Sequence, residues 1–86
     1  MAVKQSIEYN GKTIKLPFNI PNEYLKTDEI TQANHFSGEQ TQLPTFAGAV
    51  RNTILDAEMD SDYDTVRKGL HWFRRHFASQ YMVLLD

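Results

Sequence analysis

The chain contains no cysteine, and this absence excludes several kinds of site. Without a thiol there is no disulfide, no nucleophilic cysteine and no zinc or iron–sulfur centre held by cysteine. The histidines do not form a zinc site in place of cysteine. His71 and His76 are five residues apart, whereas two zinc ligands on one helix face are four apart. The sequence therefore predicts no metal and no cofactor.

Long apolar runs and catalytic loop motifs are missing as well. No window approaches the roughly 18 apolar residues of a membrane-spanning helix, and the first ten residues lack the apolar segment of a signal peptide. The glycine-rich phosphate loops and the G-x-S-x-G turn of hydrolases are absent. We therefore expect a cytoplasmic protein that does not bind membranes and is not an enzyme.

The 86 residues are 41% hydrophobic, with a formal net charge of -2. This length predicts a single small domain over residues 1–86. Such a domain buries only about 60–65% of the surface that its unfolded chain exposes, so self-association is a natural supplement to its modest core. The acidic total argues against a general nucleic-acid binder, although a local basic patch is still compatible with that function.

Residues 3–20 have the pattern of a β-hairpin. Asn10 and Gly11 are the preferred pair for a two-residue type I′ turn, because both positions need positive φ. The pairs that this turn implies are Tyr9 with Lys12, Ile7 with Ile14, Gln5 with Leu16, and Val3 with Phe18. This register puts the apolar residues of both strands on one face, so that face must pack against another element.

Two C-terminal helices are predicted, over about residues 44–59 and 62–83. In the first, an apolar stripe with helical spacing consists of Phe46, Val50, Ile54 and Ala57; in the second it consists of Val66, Leu70, Phe73, Phe77, Tyr81 and Leu84. Ser61 is the expected N-cap of the second helix. Gly69 is unfavourable inside a helix and indicates that another element packs closely there.

Residues 21–43 are ambiguous. A short helical turn is expected at 23–25, whereas 29–36 fit either a strand or a short helix capped by Thr27, and 37–42 look like a polar surface loop. The predicted fold is α+β, with the N-terminal hairpin packed against the two helices. A three-stranded antiparallel sheet, in which 29–36 join the hairpin, is the alternative.

The exposed side of the second helix is the main candidate for partner binding. One stripe carries Arg67, His71, Arg74 and Arg75, with Lys68 on its flank and Trp72 beside it. Tryptophan and arginine are the residues that most often anchor protein interfaces. The competing interpretation is a solvated polar face whose arginines pair with nearby acids.

The apolar segment 81–85 is the second candidate, represented by Tyr81, Leu84 and Leu85. Five such residues in succession exceed what an amphipathic helix needs. Either the last turn is buried in the core, or it docks into a groove on a partner or on a second copy in a homodimer.

Five carboxylates alternate where the two predicted helices meet: Asp56, Glu58, Asp60, Asp62 and Asp64. They do not fit a calcium-binding EF-hand loop, since Ser61 replaces the glycine at its sixth position and Arg67 the glutamate at its twelfth. We interpret them as a solvated acidic corner. Its proximity to the arginine stripe makes the chain dipolar, which favours head-to-tail contact between copies.

Together these features predict a small protein-interaction domain that acts as an accessory or inhibitor protein. It would bind a larger macromolecule, or itself, through the basic face and the apolar C-terminal segment. A phage- or plasmid-encoded modulator of a host enzyme fits its size and its lack of catalytic motifs. The alternative is a regulator that binds nucleic acid through the arginines, lysine and tryptophan of the second helix.

Overall fold

The computed structural model describes residues 5–85, which form an α+β fold, as predicted. The strands are β1 (Ser6–Tyr9), β2 (Lys12–Lys15), β3 (Glu29–Ala33) and β4 (Gln40–Pro44). The helices are α1 (Thr45–Met59), α2 (Tyr63–His76) and α3 (Ala78–Leu84), and a short 3-10 helix (Asn22–Tyr24) precedes β3. The N-terminal hairpin packs against the C-terminal helices through a shared apolar core.

The hairpin of β1 and β2 has the predicted register. Ile7 lies opposite Ile14, and Asn10 and Gly11 have φ values of 51° and 78°, as a type I′ turn requires. The backbone N–H of Leu16 donates to the carbonyl of Gln5 at 2.9 Å, which continues the register beyond the strands. The predicted pair of Val3 with Phe18 lies outside the described residues.

The alternative of a three-stranded sheet, in which 29–36 join the first hairpin, is wrong. Over residues 5–85 there are two separate two-stranded sheets, because β3 pairs with β4 and not with the first hairpin. Of the two alternatives for 29–36, the strand is confirmed as β3 and the short helix capped by Thr27 is wrong. The polar loop at 37–42 is shorter than predicted because β4 begins at Gln40.

Local turn chemistry explains this second hairpin. The side chain of Asn34 accepts hydrogen bonds from the backbone N–H groups of Phe36 and Ser37, at 2.7 and 3.1 Å. Gly38 then takes a φ of 76°, in the left-handed region that glycine tolerates. Together they bring residues 29–33 and 40–44 into contact with each other.

Helix α1 begins one residue later than predicted, and its apolar stripe is buried as expected. Pro44 lies at the N-cap, with extended backbone. Phe46, Val50 and Ile54 are fully buried, and α1 packs against α2. The buried Arg51 guanidinium donates to the carbonyl of Ala33 at 3.0 Å, which ties α1 to β3, and burial lowers its pKa.

The predicted continuous helix over 62–83 is wrong, because the chain breaks at Phe77. This residue has φ -137° and ψ 60°, which ends α2 and starts α3. No glycine or proline causes the break. The Phe77 ring is buried, with ring centroids of Tyr9, Phe46 and Trp72 5.7–5.8 Å away, and we attribute the break to this aromatic packing.

The start of α2 also differs from the prediction. Asp62 is the N-cap in place of Ser61, whose φ of 59° lies in the left-handed region. The Asp62 carboxylate accepts bonds from the hydroxyl and the backbone N–H of Thr65, at 2.7 and 3.3 Å. Because these bonds stabilise the charged form, they lower the pKa of Asp62, and Lys68 lowers it further.

Candidate functional site

The basic residues of α2 lie on its exposed side, as the helical spacing predicts. They are Arg67, Lys68, His71, Arg74 and Arg75. The fold divides them between two hollows: one lies between β2 and α2, and the other between α2 and α3.

The first hollow, here called the β2–α2 cleft, is an open groove with a volume of about 600 Å³. Its lining consists of Thr13, Lys15, Leu16 and Pro17 from the hairpin side and Lys68, His71, Trp72, Arg75 and His76 from α2. Two residues of β2 and more than two turns of α2 therefore face each other across a surface rich in cations.

Trp72 is the floor of this cleft and also a core residue. It is only 6% exposed, and its Nε1–H donates to the backbone carbonyl of Lys15 at 2.7 Å. The prediction that Trp72 lies on the surface as an interface anchor is therefore wrong. Trp72 lies next to the arginine stripe, on the side of α2 that faces the hairpin. Its ring therefore joins Phe46 and Phe73 in the core.

The cleft is electropositive. Among residues 5–85 its lining includes Lys15, Lys68 and Arg75 but no carboxylate, and neither Lys68 nor Arg75 makes an ion pair in that range. His76 adds a titratable group. Burial lowers the pKa of His76, and the nearby charges of Arg75 and Lys12 lower it further.

We predict that Lys12→Gln raises the pKa of His76 towards the ordinary value, because one of its two repelling charges is removed. A histidine with a depressed pKa favours folding in its neutral form. That contribution is therefore complete above about pH 6.5, the unfolded value, and is lost as the pH falls towards the folded pKa.

The measurement is an NMR titration of the imidazole protons of wild type, Lys12→Gln and a matched control, Lys26→Gln. The control removes a lysine that does not act on His76. An unchanged His76 titration in Lys12→Gln, or an equal rise in both variants, contradicts the electrostatic origin of the shift.

The second hollow, between α2 and α3, contains cations that already have local partners. It is lined by Arg67, Leu70, His71, Arg74 and Tyr81. Arg67 makes an ion pair with Asp64, and the Arg74 guanidinium carbon lies 6.0 Å from the centre of the Tyr81 ring. Because Arg67 is paired with a carboxylate whereas Lys68 and Arg75 make no ion pair among residues 5–85, the β2–α2 cleft is the stronger candidate for an anionic partner.

The C-terminal apolar segment is largely part of the core. Leu84 is 4% exposed, Tyr81 and Leu85 are partly buried against the core, and Asn34 Nδ2 donates to the carbonyl of Val83 at 2.9 Å. The structure thus favours burial over docking for Leu84. Met82 is exposed, but it stands alone on that turn.

The acidic corner is exposed, as its sequence indicates. Asp62 caps α2 and Asp64 pairs with Arg67, so two of the five carboxylates already stabilise this end of the helix. Within residues 5–85, no group of three or more histidine, aspartate or glutamate side chains is placed to hold a metal ion. In the same range, no helix is long and apolar enough to cross a membrane.

Comparisons with protein-family models, with curated proteins and with solved structures found no match for this chain. The β2–α2 cleft is therefore a candidate site on the basis of its geometry alone. Sequence reasoning found Lys68, His71 and Arg75 but missed the hairpin side of the cleft. Strand alternation places Thr13 and Lys15 together on the polar face of the hairpin, but it cannot show that α2 lies beside them.

Proposed function

We propose that this chain is a non-enzymatic protein-interaction domain that binds an acidic partner through the β2–α2 cleft. The observation that carries the proposal is the cationic lining of the cleft, in which neither Lys68 nor Arg75 makes an ion pair among residues 5–85. Electrostatic complementarity with an acidic surface would speed association and orient the partner. We favour an accessory or inhibitory role toward such a protein.

The surroundings of His76 support an anionic partner. Burial disfavours a positive charge on His76, and the charges of Arg75 in the cleft and of nearby Lys12 disfavour it further. A carboxylate bound among these groups would relieve the repulsion and stabilise the charged imidazole. Binding would therefore take up protons and become tighter as the pH falls towards the pKa of His76 in the free protein, which lies below the ordinary value of about 6.5.

A nucleic-acid partner is less well supported. Single-strand binding surfaces combine cations with exposed aromatic rings on which bases stack, and the ring of Trp72 is instead buried against Phe46 and Phe73.

The test compares Lys68→Glu/Arg75→Glu with a matched double variant, Lys26→Glu/Arg67→Glu. Both change the net charge by the same amount, but only the first reverses charges in the cleft. We expect a fluorescein-labelled octaglutamate peptide to bind wild type and the control at about 50 mM salt in an anisotropy titration. The cleft variant should lose at least about tenfold in affinity.

Salt and competitors complete the experiment. Exposed charge interactions weaken with ionic strength, so the affinity should fall between about 50 and 200 mM salt. No binding of the peptide at the lower salt concentration, or equal loss in both double variants, would refute the proposal. Tighter binding of oligothymidylate than of octaglutamate would favour the nucleic-acid alternative instead.

A further inference from the structure

We propose that the acidic partner binds as an extended segment that adds a third strand to the outer edge of β2. This inference depends on the proposed function and specifies its mode of binding. It starts from Thr13 and Lys15, which line the strand side of the β2–α2 cleft.

The hairpin register determines which backbone groups face the cleft. In an antiparallel pair, opposite residues alternate between those that exchange hydrogen bonds and those that do not. Leu16 bonds to Gln5, so Ile14 with Ile7 is the next bonded pair, and Thr13 and Lys15 belong to the non-bonded pairs. Their N–H and C=O groups therefore point away from β1.

Trp72 shows that this outward edge faces α2. Its Nε1–H already donates a hydrogen bond to the Lys15 carbonyl, at 2.7 Å. The N–H and C=O of Thr13 and the N–H of Lys15 remain on an edge where, among residues 5–85, no strand lies. Pro17 follows two residues later and cannot donate, so it limits the edge to this short stretch.

The charges of the cleft select an acidic segment. Successive side chains of a strand point to opposite faces of its sheet, so every second residue of a strand paired with Thr13 would lie on the face that carries the Thr13 and Lys15 side chains. Thr13 and Lys15 line the same cleft as Lys68, His71, Arg75 and His76. A segment with glutamate or aspartate at alternate positions would therefore place its carboxylates among these cations while its backbone pairs with Thr13.

A polypeptide fits this arrangement better than a phosphate backbone does. The Thr13 carbonyl is an acceptor, so it needs an N–H donor from the partner, and nucleic-acid phosphates and sugars lack the regular alternation of N–H and C=O that a strand edge pairs with. Addition of a strand to an exposed sheet edge is a common mode of peptide recognition.

The test uses a labelled eight-residue peptide of alternating glutamate and valine, and two proline variants. Thr13→Pro removes an N–H that faces the cleft, whereas Ser6→Pro removes an outward N–H on the opposite edge, at β1. Neither backbone N–H donates to the β1–β2 ladder, and the only other bond lost among residues 5–85 is the exposed one from the Thr13 hydroxyl to Glu8 at 3.2 Å, so both variants should keep the hairpin. We expect Thr13→Pro to bind about fivefold more weakly, from the loss of one hydrogen bond, and Ser6→Pro to bind like wild type.

Amide hydrogen exchange of the wild-type protein provides a second readout that needs no variant. Peptide binding should slow exchange at Thr13 and Lys15, but not at Ser6. Peptide binding that depends on Lys68 and Arg75, but leaves these amides unprotected and is equal in the two proline variants, would overturn strand addition and leave the proposed function intact. Absence of peptide binding altogether would overturn both.

Discussion

Replacement of Trp72 by alanine is expected to lower the free energy of unfolding by about 3–5 kcal/mol, the usual cost of truncating a buried tryptophan. The indole is 6% exposed and packs against Phe46, Phe73 and Phe77. A domain of this length is stable by roughly 4–13 kcal/mol, at about 0.05–0.15 kcal/mol per residue. The variant should therefore be largely unfolded at moderate urea concentrations where wild type remains folded.

The control is Trp72→Phe. It keeps an aromatic ring in the core but removes the hydrogen bond from Nε1 to the Lys15 carbonyl, so a cost of about 1–2 kcal/mol is expected. Urea unfolding followed by far-ultraviolet circular dichroism measures both variants without the indole as a probe. A stable, fully folded Trp72→Ala protein would show that Trp72 is a surface residue, as its sequence context predicts.

Substitution of Gly69 by valine is expected to destabilise the domain by about 2–3 kcal/mol, in the upper range for overpacking. A Cβ at this position would lie 2.7 Å from Cδ1 of Ile54, closer still to its Cγ1, and 3.2 Å from a ring carbon of Phe18. Ile54 is fully buried, so it cannot move aside without disturbing α1. The close approach that Gly69 indicated in the sequence is thus the crossing of α1 and α2.

Lys68→Val is the matched control, because it introduces the same β-branched side chain at an exposed position of the same helix. It should change the stability by no more than about 0.5 kcal/mol. The second test is a cycle with Ile54→Ala, which vacates the space that the new side chain needs. Strictly additive effects of Gly69→Val and Ile54→Ala would argue against this contact, since touching residues couple.

Both predictions bear on the proposed binding site as well as on stability. Trp72 joins the hairpin to α2 through its bond to Lys15, and Gly69 allows α2 to approach α1. These two contacts position the two walls of the β2–α2 cleft. Stability should therefore be checked in every variant of the cleft before a loss of peptide binding is assigned to charge or to the strand edge.

Local rules predicted the elements that depend on neighbours in the chain. The Asn10–Gly11 turn determines the register of the first hairpin, because both residues accept positive φ. The apolar period of Phe46, Val50 and Ile54 located α1 to within one residue. The same helical period, applied to the second predicted helix, placed the exposed cations of α2 on one side.

Elements that depend on distant residues were predicted poorly. Nothing near Phe77 marks the end of α2, because the aromatic rings that surround Phe77 include Tyr9 and Phe46, which are far away in sequence. The partner of β3 could not be chosen, since the pattern of 29–36 fits a strand without showing which other strand it pairs with. The exposure of Trp72 depended on where the first hairpin packs.

The sequence by itself determined the class of fold, the first hairpin and the basic side of the C-terminal helical region, since turn chemistry and apolar spacing are local properties. It also excluded every site that needs a thiol. Only the tertiary structure decided that Trp72 and Leu84 belong to the core, and that Lys15, Lys68 and Arg75 line one cleft. The physical reason is that burial, and the distance between charged side chains, depend on contacts between residues far apart in the sequence. Trp72 and Lys15, which share a hydrogen bond, are 57 positions apart.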